Sequence, residues 1–323
     1  MAKQPGTTLQ DVVYNLDVGI GLQLLRSALY IGGVLVVMLW YTAGQFRGLQ
    51  SADAMDAAQI GRNIAVGRGY TTRNVQPASV GFLQARNPER AAIDFHPEIS
   101  RPPVYPMLLA AGFRLIRGAV LTPASQGVYP PEQWVMVPFN HIFSLLSGFL
   151  VLLLGRRLFD RRIGFLAMTA FFLSDAVWHH SIRAEGVSLL IFFATAAFWL
   201  MLLASDLKNN GRKRIFWLLP FLAATGFCVA AFLTRYSAFV LMPGLALLVF
   251  LRFGKGRGWL LGLFLLLFFA GISPWLARNI LICRSPLGLA PYLFMDGEHR
   301  MISRTLTPDF SWKTFFGTPV SRH

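Results

Sequence analysis

Cysteine, acidic residues and charge of either sign are scarce in this sequence of 323 residues. The two cysteines, Cys228 and Cys283, exclude a disulfide framework, and neither has a neighbour at metal-ligand spacing. Only 14% of the residues are charged while 54% are hydrophobic, which excludes an ordinary soluble domain. The 30 basic residues outnumber 15 acidic ones, and much of the excess lies in short clusters between apolar runs. The sequence therefore predicts a protein of the lipid bilayer, with no nucleic-acid partner.

Long apolar runs are abundant. A membrane-spanning helix needs roughly 20 largely apolar residues, and such runs begin near Ser27, Trp134, Ile163, Glu185, Ile215, Ser237 and Trp259. This pattern predicts an all-α polytopic membrane protein with about seven transmembrane helices. The N-terminal stretch lacks a small-residue cleavage site, so we expect the first span to stay as an anchor.

Three basic loops set the orientation that we expect. The clusters GRRLFDRRIG, DLKNNGRKR and RFGKGRG separate alternate pairs of spans, and all three face the cytoplasm under the positive-inside rule. The chain then divides into a cytoplasmic N-terminal segment (1–26), a transmembrane module (27–281) that includes a long outer loop (45–133), and an outer C-terminal tail (282–323), which suggests the N-terminal part of a longer protein. We expect a multi-pass protein of the inner (plasma) membrane with a cytoplasmic N-terminus and this loop outside.

The outer loop contains a short apolar stretch, RPPVYPMLLAAGFRLIRG, that is too short to span the bilayer. Val104, Met107, Leu108, Ala111 and Leu115 would form one apolar stripe on a helix. We therefore predict an amphipathic helix that lies in the outer membrane interface.

Two acids follow the first apolar run. On a helix that begins at Ser51, Asp53 and Asp56 share a face with Ile60 and Asn63. One interpretation is helix capping, with Ser51 or Asp53 as the N-cap and Asp56 supporting it. The other is functional, because a carboxylate can act as general base on an acceptor hydroxyl or bind a divalent cation.

Further polar residues are expected on the same outer side. They are His96, Glu98 and Arg101 in the stretch DFHPEISRPP, Glu185 at the start of an apolar run, and Arg235 and Arg278 at outer helix ends. The first three have the chemistry to complete a metal or phosphate site, although a solvated loop has the same composition. Glu185 would lie at the interface, where ionisable groups tend to be functional. A guanidinium such as Arg278 suits a phosphate, although snorkelling explains its position almost as well.

These segments, in this order, resemble the GT-C class of membrane glycosyltransferases, in the branch of the protein O-mannosyltransferases (dolichyl-phosphate-mannose-protein mannosyltransferases) and the bacterial aminoarabinose transferase for lipid A. The matching segments are SADAMDAAQIGRNIAVGRGYTT, RPPVYPMLLA, LLGRRLFDRRIGFLAM, LTRYSAFVLMPGLALL and SPWLARNI. They cover residues 51–280, which correspond to the N-terminal part of such enzymes.

The resemblance implies an enzyme that moves a sugar from a polyprenyl-phosphate carrier to a lipid, protein or glycan acceptor on the outer (periplasmic) face. Asp53 matches the family's leading loop acid, and Asp56 is a second catalytic candidate. The candidates for binding the donor phosphate are Arg101, Arg235 and Arg278, with His96, Glu98 and Glu185 as other site residues. If the enzyme uses a divalent metal ion, Asp53 and Glu98 would bind it. Many members carry two adjacent acids at the first position, whereas Ala54 follows Asp53 here.

Two other classes of protein fit the composition. A transporter would use Glu185 and nearby histidines to line a path, but charged residues within the spans are scarce and cluster at one side. A non-catalytic membrane module of a larger complex is the second alternative.

Overall fold

Helices make up most of the structure, a computed structural model that describes residues 20–91, 95–116 and 131–291. The helices are α1 (Ile20–Gln45), α2 (Ala52–Ala65), α3 (Pro77–Arg86), α4 (Val104–Leu115), α5 (Pro131–Leu158), α6 (Arg161–Leu173), α7 (Asp175–Arg183), α8 (Val187–Asn209), α9 (Arg214–Phe232), α10 (Leu241–Arg252) and α11 (Arg257–Cys283). Short 3₁₀ turns cover Pro88–Arg90 and Tyr236–Val240. Two short strands, β1 (Thr71–Thr72) and β2 (His96–Pro97), pair antiparallel. Of the predicted terminal segments, residues 1–19 and 292–323 lie outside the described residues.

The chain divides into two compact units, Met1–Arg47 and Gly48–His323. Within the first unit the described helix is α1, whose segment Leu24–Gln45 is long and apolar enough to span a membrane. Leu29, Ile31 and Leu39 are all well exposed and lie on different faces of the helix. A helix that exposes apolar side chains on several faces is suited to lipid rather than water.

Five helices of the described residues are long and apolar enough to cross a membrane, namely α1, α5, α8, α9 and α11. They confirm an all-α membrane protein, but the predicted third and sixth spans are not single long helices. The third is divided into α6 and α7 at Ser174, whose backbone is extended. The indole N–H of Trp178 donates to the Phe172 carbonyl at 2.7 Å, which satisfies one of the backbone acceptors left open where α6 ends. The sixth comprises the 3₁₀ turn Tyr236–Val240 and α10.

The divided segment α6–α7 nevertheless runs alongside α5. A Cβ atom on Gly155 would lie 2.6 Å from the Cα of Gly164, so the backbones of α5 and α6 touch at one end. Further along, the Ser181 hydroxyl of α7 lies 2.6 Å from Nδ1 of His141 on α5. The two segments together are therefore antiparallel to α5.

The three basic loops meet at one end of these helices. A guanidinium nitrogen of Arg157 lies 2.8 Å from the Asp206 carboxylate. The Lys208 ammonium donates to the carbonyls of Phe253 at 2.5 Å and Lys255 at 2.8 Å. These contacts place the loops that follow α5, α8 and α10 on the same side of the bundle, as the predicted topology requires. That this end faces the cytoplasm stays a prediction.

Candidate functional site

The two acids of the loop 45–133 lie in the first turns of α2. The Ser51 hydroxyl accepts from the backbone N–H three residues on, at 3.4 Å, so Ser51 is the N-cap and the alternative that Asp53 caps the helix is wrong. Asp56, Ile60 and Asn63 are buried, which confirms the predicted shared face. Because capping falls to Ser51, the carboxylates of Asp53 and Asp56 are available for other contacts.

Helix α4 packs against α2 through Leu109 and Phe113, which are buried. A Cβ on Gly61 of α2 would lie only 3.1 Å from the Leu109 Cβ, so the small residue permits this close approach. Met107 and Leu115, from the predicted stripe, are exposed on the other side. The helix is therefore apolar on two sides, one facing the core and one suited to the membrane interface.

Arg101 lies just before α4 and contacts both acids. One guanidinium nitrogen (Nη1) lies 2.5 Å from Asp53 Oδ1, and another (Nη2) lies 2.8 Å from Asp56 Oδ2. Asn74 donates from its side-chain amide to the second oxygen of Asp56 at 2.7 Å. Burial alone would lower the pKa of Arg101, but Asp53 and Asp56 raise it above its ordinary value. The guanidinium therefore stays charged and holds the two carboxylates about one helical turn apart.

The loop that carries Arg101 is fixed by Glu98 and Tyr70. One carboxylate oxygen of Glu98 accepts from the Ser100 hydroxyl, from the Ser100 N–H at 2.7 Å and from the Arg101 N–H at 3.1 Å. The Tyr70 hydroxyl donates towards the carbonyls of Arg101 at 3.2 Å and Pro102 at 3.0 Å. Burial raises the pKa of Tyr70 well above its ordinary value, so this phenol remains a donor. Glu98 thus acts on the site by positioning Arg101.

Arg235 reaches Asp53 from the end of a different helix. It follows α9, and its guanidinium nitrogen Nη2 lies 3.2 Å from Asp53 Oδ2. The Val104 N–H donates to the Leu233 carbonyl at 2.9 Å, which joins the start of α4 to the end of α9. The Arg235 side chain is 38% exposed, against 21% for that of Arg101. Asp53 therefore lies between two guanidinium groups, one of them accessible to solvent or ligand.

Arg278, near the end of α11, makes contacts of another kind. Its guanidinium donates to the Glu98 carbonyl at 2.6 Å, to the Asn279 side chain at 2.9 Å and to the Tyr70 carbonyl at 3.3 Å. It also lies over the rings of Trp275 (4.7 Å) and Tyr70 (5.2 Å). These contacts connect α11 to the loop that carries Arg101.

His96 is fully buried in the short strand β2. Its Nε2 lies 2.7 Å from the Ser79 hydroxyl on α3. His96 therefore joins β2 to α3 through a buried serine.

Glu185 lies in the tight turn between α7 and α8, where both neighbours, Ala184 and Gly186, have positive φ. One of its carboxylate oxygens is 2.7 Å from the Arg183 guanidinium. His180 is close enough to feel the charges of both Glu185 and Arg235. Glu185 and Arg235 therefore both lie within electrostatic range of His180.

The predicted metal ligands, Asp53 and Glu98, both have other partners. Among residues 20–91, 95–116 and 131–291, no group of three His, Cys, Asp or Glu side chains is placed to hold a metal ion. The Asp53 carboxylate forms an ion pair with the Arg101 guanidinium, and one carboxylate oxygen of Glu98 accepts from the loop backbone. As arranged, Arg101 already supplies the positive charge between Asp53 and Asp56, so these residues fit a guanidinium better than a divalent ion.

Comparisons with protein-family models, curated proteins and solved structures found no match.

Two residues of this cluster were missed by the sequence reasoning. Asn74 binds Asp56 and Tyr70 supports Arg101, yet both lie between helices, where no periodicity marks a contact. A signal existed for Tyr70 alone, because an aromatic residue next to glycine in RGYTT is unusual for a solvated turn. Asn74 carried none.

Proposed function

We propose that this protein is a polyprenyl-phosphate-dependent glycosyltransferase that transfers a sugar to a lipid, protein or glycan acceptor on the outer face of the inner (plasma) membrane. The observation that carries the proposal is the Asp53 carboxylate, held between Arg101 and Arg235 where α2 and the end of α9 meet. A carboxylate beside an accessible guanidinium supplies a base for an acceptor and a cation for a phosphate at one place. The prenyl chain of such a donor would stay in hydrocarbon.

The proposed reaction is a displacement at the anomeric carbon. The acceptor oxygen forms a bond to that carbon, and the bond from the carbon to the carrier phosphate breaks. The bonding electron pair leaves with the phosphate, and the acceptor proton moves to a carboxylate. The base and the phosphate-binding cation must lie close together, because the acceptor oxygen and the leaving phosphate are on opposite faces of the same anomeric carbon.

Asp53 is the better candidate for the base. Both oxygens of Asp56 are occupied, one by Arg101 and the other by Asn74, and its side chain is only 11% exposed. The Asp53 side chain is 22% exposed, and its second oxygen has the longer contact with Arg235. Asp56 then positions Arg101, which in turn positions Asp53.

Arg235 is the best suited of the three arginines expected at the donor phosphate. Arg101 is committed to two carboxylates, and Arg278 donates to two carbonyls and an amide. Arg235 contacts Asp53 through a single nitrogen at 3.2 Å, and its side chain is 38% exposed, against 21% for that of Arg101. We assign the phosphate contact to Arg235 and the support of the loop to the others.

The membrane arrangement that we propose has seven crossings. The divided segment α6–α7 lies antiparallel to α5, and the sixth segment connects opposite ends of the bundle. The Tyr236 hydroxyl at its start accepts from Trp275 at 2.7 Å, and the Arg252 carbonyl at its end accepts from Ser205 at 3.1 Å. Broken helices are tolerated at membrane depth where protein surrounds them. With a cytoplasmic N-terminus, the Asp53 site then lies outside.

Replacing Asp53 tests the function directly. We expect Asp53→Asn to slow sugar release from a panel of polyprenyl-phosphate sugars, assayed in nanodiscs with a membrane-extract acceptor, by roughly 10²- to 10⁴-fold. Glu89→Gln is the matched control, because Glu89 is an exposed acid of the same loop. It should retain the wild-type rate.

Two results would count against the proposal. Equal rates for Asp53→Asn and the wild type would remove Asp53 from the mechanism. No turnover of any donor by a correctly inserted wild-type protein would favour the non-catalytic membrane module instead.

A further inference from the structure

The guanidinium contacts of Asp53 differ in strength. Arg101 binds Asp53 at 2.5 Å and anchors its second nitrogen on Asp56 at 2.8 Å. Arg235 contacts Asp53 through a single nitrogen at 3.2 Å. A guanidinium that makes short contacts through two nitrogens is held more firmly than one that makes a single, longer contact.

Exposure points in the same direction. The Arg235 side chain is 38% exposed, and an accessible ion pair contributes little because water competes for both partners. Arg101 is more buried, its backbone N–H is bound by Glu98, and its carbonyl accepts from Tyr70. Of the two guanidinium groups on Asp53, Arg235 is therefore the one able to change partner.

Building on the proposed function, we propose that Arg235 exchanges partners during the reaction, from the Asp53 carboxylate in the free protein to the carrier phosphate in the donor complex. Arg101 keeps Asp53 in place during the exchange. Departure of Arg235 removes a guanidinium from Asp53 Oδ2, the oxygen it contacts in the free protein. Loss of this neighbouring cation makes the Asp53 carboxylate a stronger base towards the acceptor's proton.

The exchange makes the base dependent on the donor. A phosphate draws Arg235 away more effectively than a neutral lipid, because only the phosphate replaces the carboxylate as its anionic partner. Asp53 thus becomes the stronger base only when a phosphate-linked carrier occupies the site. The site thereby selects an anionic lipid carrier before the acceptor reacts.

Binding of a long-chain polyprenyl phosphate, measured in phosphatidylcholine nanodiscs, tests the exchange without relying on catalysis. Because Asp53 competes with the phosphate for Arg235, we expect Asp53→Asn to tighten binding by about two- to fivefold. The matched variant is Asp56→Asn, which removes a charge one turn away, from a carboxylate whose two oxygens contact Arg101 and Asn74. We expect it to tighten binding by less than about twofold.

A double-mutant cycle isolates the exchange. In an Arg235→Gln background, the tightening by Asp53→Asn should fall to the value for Asp56→Asn. If Asp53→Asn fails to insert, Asp53→Ser is the substitute, because its short side chain cannot reach Arg235. Equal effects of Asp53→Asn and Asp56→Asn, or tightening that persists without Arg235, would overturn the exchange while wild-type binding still supports the proposed function. A wild-type protein that binds the polyprenyl phosphate no better than phosphatidylglycerol would overturn both.

Discussion

Arg101 is the residue on which the geometry of the acid cluster depends, and Arg101→Met is the perturbation that tests this. It removes two charge-assisted contacts, at 2.5 Å to Asp53 and 2.8 Å to Asp56, while keeping much of the side-chain volume. Hydrogen bonds to charged groups contribute about 1.5–3 kcal/mol each, and partial exposure favours the lower end. The remaining carboxylates also repel each other. We therefore expect the free energy of unfolding to fall by about 2–4 kcal/mol.

The assay is equilibrium unfolding in mixed detergent micelles, followed by circular dichroism and tryptophan fluorescence. Arg73→Met is the control, because Arg73 is an exposed arginine of the same loop (45–133) and should change stability by no more than about 0.5 kcal/mol. Adding Asp53→Asn and Asp56→Asn to Arg101→Met should restore much of the loss, since neither carboxylate is then left without its cation and the exposed Arg235 can be solvated by water. A loss equal to that of Arg73→Met would refute the assignment of Arg101 as the organising cation.

Two further predictions concern packing and topology. A methyl group on Gly148 would meet the ring of Phe172 where α5 contacts α6, so Gly148→Ala should destabilise the protein by about 1–3 kcal/mol; Gly262→Ala, in open space on α11, should be nearly neutral, and equal unfolding free energies would contradict the packing. A cysteine at Asn210 should be shielded from an impermeant thiol reagent in intact cells, whereas one at Glu89 should react. The reverse labelling pattern would overturn the orientation.

The membrane character of the chain was predictable because it depends on local composition. Runs of apolar residues specify α5, α8, α9 and α11 without knowledge of their neighbours. The division of the third span was not predictable in this way, since Leu173, Ser174 and Asp175 interrupt the helix without proline or glycine. It depends on the Trp178 indole, which satisfies the carbonyl of Phe172. Such a contact requires the chain to turn back on itself.

The candidate site likewise combines features that local sequence predicts with contacts that only the tertiary structure reveals. Helical spacing alone placed Asp56 and Asn63 on one buried face of α2. The pairing of Arg101 with both acids, over 48 and 45 positions of sequence, has no local signature. From the sequence, the arginines at 101, 235 and 278 are equivalent candidates for the donor phosphate, whereas in the structure each has a different set of partners.

By itself, the sequence determined an all-α membrane protein, the helical face of the acids and the grouping of basic residues into loops between apolar runs. These properties follow from hydropathy and from the 3.6-residue period, which act over short stretches of chain. Tertiary structure alone decided that Arg101 is committed to two carboxylates, that Arg235 is the more accessible cation beside Asp53, and that His96 is bound to a buried serine. Each depends on the meeting of segments far apart in sequence, and the strength of an ion pair depends on the distances and exposure that this meeting sets.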